Sequence, residues 1–217
     1  MGVFAGICVL VVVISLLLSV VGTLAPLGYF ANRPVQVESL SASILWICKL
    51  QKITWLRYVG SFGSLNVLSP LSPLVALCMT VLLVVGLRST WLLQWRRRMD
   101  LAMTCLLTLL IVMVTGKVFS TQYLIWVLPL AAYVGQSDRL WLLFWTLVGL
   151  LTTSIFPYLY DNLAPYKFLA LYVPLHLPLL SLVPAVRNFL LLGFILSVLI
   201  SRSFLDPQLS HDEEQVE

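Results

Sequence analysis

No charged side chain occurs before Arg33, and residues 3–25 are almost continuously apolar. A helix of that length reaches about 30 Å at a rise of 1.5 Å per residue, which matches the hydrocarbon thickness of a bilayer. Comparable apolar runs follow at 70–87, 101–115, 120–134, 140–156 and 184–201. With 60% of its residues hydrophobic and only 10% charged, the 217-residue chain carries more apolar surface than one water-soluble core can hide. The expectation is an all-α, polytopic transmembrane protein with about six membrane segments. It comprises one transmembrane helical domain over 1–205 and a polar, disordered tail over 206–217.

Composition narrows the function classes. The net charge of +4 is spread between apolar segments and forms no continuous stripe, so nucleic-acid binding is not expected. Cys8, Cys48, Cys78 and Cys105 stand alone in sequence and read as small apolar residues. His176 and His211 are also single, so neither a metal site nor a cofactor is expected. The first apolar run is too long for a signal peptide and has no good cleavage site before Pro26; Pro26 and Gly28 are expected to end its helix. A start at the edge of a span, with no basic flank, looks like the middle of a longer protein.

Residues 38–50 differ from the spans. Leu40, Ile44, Ile47 and Cys48 share one face of a 3.6-residue period, with Glu38 and Lys49 on the other. Thirteen positions reach about 20 Å, too short to span, so a short interfacial helix lying flat on the membrane is expected. Gly116 terminates the third span and Ser120 is expected to N-cap the fourth. The stretch 167–183, with Pro174, His176 and Pro178, reads as a broken span or a re-entrant segment.

Trp91, Trp95 and Arg96 to Arg98 resemble a cytoplasmic boundary. The loop cations divide six against six, so the dense arginine triplet alone sets the orientation. That orientation puts three polar clusters on the extracytoplasmic face: 32–39, 116–123 and 158–167. Their excess of Lys and Arg suits an anionic partner such as a lipid-carrier phosphate. Plainer roles stand beside this one. Arg33 can anchor at headgroups, Glu38 can favour a helix N-terminus, and Lys117 can complement a helix C-terminus. Arg187 falls in the last span, where an unpaired charge costs about 3 kcal/mol, so it either snorkels or faces a cavity.

Three strings carry more than composition: RPVQVESLSAS at 33–43, SFGSLN at 61–66 and GKVFSTQYLIWVLPL at 116–130. In this order they resemble bacterial membrane glycosyltransferases of family 87, over about residues 1–201, and the third is the most specific. The resemblance implies an integral protein of the bacterial plasma membrane that transfers a hexose, typically mannose, from a polyprenyl-phosphate carrier to an extracytoplasmic acceptor. Arg33, Gln36 and Glu38 fall in the first string, and Lys117, Gln122 and Tyr123 in the third. With Arg187 they are the candidate substrate or carrier-phosphate contacts. The strings match the latter half of the family, whose catalytic aspartate lies in an early outer loop. The implied partners are therefore the lipid-linked sugar donor, membrane lipids and an N-terminal half of the same enzyme, and the catalytic residue is unassigned. A non-enzymatic transporter or flippase half, built on the broken helices, is the alternative. An inert membrane scaffold is a third reading.

Overall fold

A computed structural model of the chain describes residues 2–135, 138–159 and 178–204. The expectations for Asp161, Lys167, Pro174, His176 and the tail 206–217 lie outside the described residues. The chain divides into two compact units, Met1–Pro34 and Val35–Glu217, the break falling inside the stretch read as one transmembrane domain.

In the first unit the long apolar run is two helices, α1 (Gly2–Leu18) and α2 (Val20–Asn32), bent by 108°. This corrects the expected single span over 3–25. Ser19 is extended, at φ −164° and ψ 108°, and its Oγ accepts a hydrogen bond from the Gly22 N–H at 2.9 Å. A side chain that satisfies a free N–H starts a new helix there. Pro26 and Gly28 do not end α2, which continues to Asn32. No residue of α2 is buried.

The second unit begins with β1 (Val35–Gln36), α3 (Leu40–Leu50), β2 (Arg57–Ser61) and β3 (Ser64–Leu68). The strands form an antiparallel sheet in the order β1, β3, β2, with Gln36 opposite Asn66. Phe62 and Gly63 both take positive φ, 53° and 69°, as a two-residue hairpin turn requires. Asn66 staples this hairpin, its Nδ2 donating to the Ser61 carbonyl at 2.6 Å. The sheet is an addition to the all-α expectation in a chain that is otherwise mostly helical.

Helix α3 is not a flat interfacial helix. Leu40 and Leu45 have no exposure, and Ser41, Ala42 and Ser43 are buried with them. Both faces of its first turns are therefore covered, and it packs against α8 (Pro178–Phe204). Hydropathic periodicity reports that a helix has an apolar face, but not whether protein also covers the polar one.

Three helices are long and apolar enough to cross a membrane among the described residues: Ser72–Trp95, Arg139–Phe156 and Leu179–Ser203. Counting the bent α1 and α2 as one span makes four, fewer than the six expected. The protein is thus mostly helical and built for a membrane. The shortfall comes from local stops. Asp100 caps α5 (Leu101–Thr115) and Gly116 closes it, leaving 15 residues. Ser120 does not cap the next helix; it precedes a 3-10 turn, Thr121–Tyr123, and makes no capping bond. Only 12 residues of α6 (Leu124–Gly135) then follow. Helix α4 (Ser72–Trp95) runs past the expected limit at 87 and carries Trp91 and Trp95 on its last turns. Helix α7 (Arg139–Thr153) is followed by a kinked segment, Ser154–Leu159, in which Phe156 is extended at φ −130° and ψ 127°.

The core of this unit is α5, on which Leu106, Leu107, Leu110 and Val114 are fully buried. Helices α4, α6 and α8 pack around it. That arrangement leaves the loop after α5 beside β1, where the polar residues gather.

Candidate functional site

Main-chain hydrogen bonds pin β1 on both edges. It pairs with β3 on one side, and on the other the Gln36 N–H donates to the Lys117 carbonyl at 3.0 Å. The chain then turns sharply. The Ser39 N–H and Oγ both donate to the Gln36 carbonyl, at 3.0 and 2.8 Å, while Ser39 Oγ accepts from the Ala42 N–H at 3.2 Å. One serine therefore closes the turn and caps α3.

Behind the turn stands α8. Arg187 Nη2 and Asn188 Nδ2 each donate to the Glu38 carbonyl at 2.9 Å, and Asn188 Nδ2 also reaches Ser43 Oγ at 3.0 Å. Asn188 Oδ1 accepts in return from Arg187 Nε and Nη2, at 3.2 and 3.1 Å. The Phe119 ring lies 4.2 Å from the guanidinium carbon, and Arg187, Asn188 and Phe119 are fully buried. A planar guanidinium with one face on an aromatic ring and its edge on carbonyl oxygens makes a rigid clamp. Further along, the Tyr58 and Ser181 hydroxyls are hydrogen-bonded at 2.9 Å. Burial pushes the Tyr58 phenol above its ordinary value, and the Ser181 bond draws it partly back.

The clamp fixes the wall of a cavity of about 660 Å³. Gln36 and Glu38 line it from the turn, with Gln36 Nε2 donating to Glu38 Oε1 at 3.3 Å. Gly63 and Ser64 contribute the hairpin tip, and Ser120, Thr121 and Gln122 the 3-10 turn. The opposite wall is α7, with Trp145, Thr152 and Thr153, while Leu124, Ile125 and Leu128 of α6 make an apolar side. Gln36 Oε1 and Trp145 Nε1, one acceptor and one donor, are buried without a protein partner among the described residues. A cavity of this size, mostly apolar but with convergent polar groups, has the form of a small-molecule site.

No family model, curated protein or solved structure matches this chain. The cavity wall carries amide, hydroxyl, indole and one carboxyl group, with no lysine or arginine among the described residues. No group of three metal-ligating side chains occurs among the described residues.

The candidate residues separate accordingly. Gln36, Glu38 and Gln122 come together on the cavity wall. Lys117 is exposed and meets the site through its carbonyl, which holds β1. Tyr123 turns to stack on Trp126 at a centroid distance of 5.0 Å. Arg187 faces the turn and Phe119 from behind and does not line the cavity. Arg33 belongs to the first unit, where its N–H donates to the Tyr29 carbonyl at 3.1 Å and closes α2. Trp145, Thr152 and Thr153 were not anticipated. Their spacing, with Val148 and Gly149, follows the three-and-four-residue stripe of one helix face, which is the available sequence signal.

Proposed function

We propose that the chain is part of an integral membrane glycosyltransferase, and that the cavity receives the hexose of a polyprenyl-phosphate-linked donor. One observation carries this reading: the three strings that resemble family 87, at 33–43, 61–66 and 116–130, each contribute residues to the same cavity wall. Its lining suits a neutral polyol joined to an apolar carrier. Gln36, Glu38, Gln122 and the hydroxyls of Ser120, Thr121 and Thr152 offer hydrogen bonds, while α6 offers an apolar side. In transfer, the acceptor hydroxyl attacks the anomeric carbon, the bond to the carrier phosphate breaks and a base takes the hydroxyl proton. Glu38 and Gln36 are assigned here to gripping the sugar; the base is not assigned to these residues. The site faces the extracytoplasmic side in this reading.

Hydrogen bonds involving a charged group are worth about 1.5–3 kcal/mol, so Glu38→Gln is expected to lower donor affinity about 10- to 100-fold. Purified chain in lipid nanodiscs, given radiolabelled polyprenyl-phosphate mannose, should retain it, and Glu38→Gln should retain far less at unchanged thermal stability. Equal retention of bare polyprenyl phosphate would remove the sugar from the site. Translocation of the carrier-linked sugar across vesicles without transfer would move the reading to a transporter half.

A further inference from the structure

A second cavity, of about 400 Å³, lies between α4, α5 and α8, apart from the polar one. Its sides are apolar, including Leu82, Val85, Val114, Leu196 and Leu199. Its lining includes Gly86, where an added Cβ would come within 3.1 Å of Ile111 Cγ2; the small residue lets α4 approach α5 closely. Along α8 it follows residues 192–203, about 16 Å at 1.5 Å per residue. It is a slot suited to an extended hydrocarbon chain.

Polarity and charge collect at one end of the slot. Ser89 and Ser203 line it there, and Arg98 Nη1 donates to the Ser203 carbonyl. Arg98 is half-buried, and its Nε lacks a hydrogen-bond partner among the described residues. Arg88 directly precedes Ser89, and Arg202 directly precedes Ser203. Between Glu38 and Asp100 there is no Asp or Glu, and Asp100 caps α5 through the Met103 N–H; the acidic residues that follow α8 in sequence, from Asp206 on, lie outside the described residues. Trp91 and Trp95, both exposed on the last turns of α4, are the aromatic residues expected where hydrocarbon gives way to headgroups.

We propose that this slot binds an anionic phospholipid, with one acyl chain along α4 and α8 and the phosphate at Arg98. The apolar slot selects a lipid tail; the donors at its mouth select the charge. With Nη1 on the end of α8, the guanidinium keeps the N–H groups of Nη2 to place a charge-assisted hydrogen bond on a phosphate oxygen.

The test uses the full chain, purified and delipidated in detergent, with phosphatidylglycerol, phosphatidylcholine or polyprenyl phosphate added and retention read by native mass spectrometry. Phosphatidylglycerol should be retained about tenfold better than phosphatidylcholine, and should raise the thermal midpoint. Arg98→Ala should abolish the preference. Leu196→Trp, which fills the slot, should lose phosphatidylglycerol while keeping Arg98, whereas Leu142→Trp on an exposed position of α7 should behave as the wild type. Equal retention of the two phospholipids, preferential retention of polyprenyl phosphate, or an unchanged Leu196→Trp would each overturn the proposal.

Discussion

Arginine holds α8 at two places, and the two attachments differ in what surrounds them. Arg187 is fully buried, lies against Phe119 and spends its guanidinium on the Glu38 carbonyl and Asn188. Arg98 is half-buried and bonds the carbonyl of Ser203. Both use a cation on a main-chain oxygen. Desolvation makes the first a structural clamp, since removing one partner inside the protein leaves the other polar groups stranded. Partial exposure leaves the second more adjustable, as is usual for a cation near the last turn of a helix. Chemical identity therefore does not assign a role; burial does.

The comparison is best broken by truncating both arginines. Arg187→Ala should lower stability by about 1–3 kcal/mol, measured by denaturant unfolding in detergent, since it leaves the buried Asn188 Oδ1 without its donor. Arg187→Lys should rescue little, because an ammonium lacks the planar face that lies on Phe119. Lipid-free Arg98→Ala should change stability by less than about 0.5 kcal/mol, the range of surface substitutions. Similar losses for the two would refute the distinction.

Smaller changes sharpen the buried side. Ser39→Ala, which removes both the turn closure and the α3 cap, is expected to cost about 1–2 kcal/mol and to loosen the Gln36 and Glu38 wall. An unchanged unfolding midpoint would show that the clamp alone holds the turn. The smallest effect is pH-dependent. The folded Tyr58 phenol titrates above its unfolded value of about 10, so its contribution is complete below about pH 10 and is lost as pH rises through the raised value. Tyr58→Phe should reduce the loss of stability above pH 10, read from thermal melts across pH 8–12; an identical alkaline slope would exclude Tyr58 as its source.

Several elements were legible locally. Helix α5 begins and ends where the sequence places it, since Asp100 and Gly116 act on their own neighbours. The break at Ser19 was not legible, because hydropathy averages across the one residue whose side chain caps the new helix. The β2–β3 hairpin is legible in principle from Phe62-Gly63 between two short runs, but long apolar segments dominate the sequence around it. In the cavity, Gln36, Glu38 and Gln122 stand out as polar groups beside apolar runs. Thr152 and Thr153 do not, because a threonine at the end of an apolar helix reads as unremarkable until the opposing wall is known. A charge in a span admits either snorkelling or a cavity for Arg187, and its described hydrogen bonds go to the protein itself.

The amino-acid order alone determined a membrane-built, mostly helical chain, because transfer of apolar side chains out of water is a sum over residues, and helix stops act within a turn. Tertiary structure decided which polar groups share a cavity and which arginine is sealed. Residues 36, 122 and 152 meet only when β1, the 3-10 turn and α7 are packed together, and the cost of a charge depends on what finally covers it.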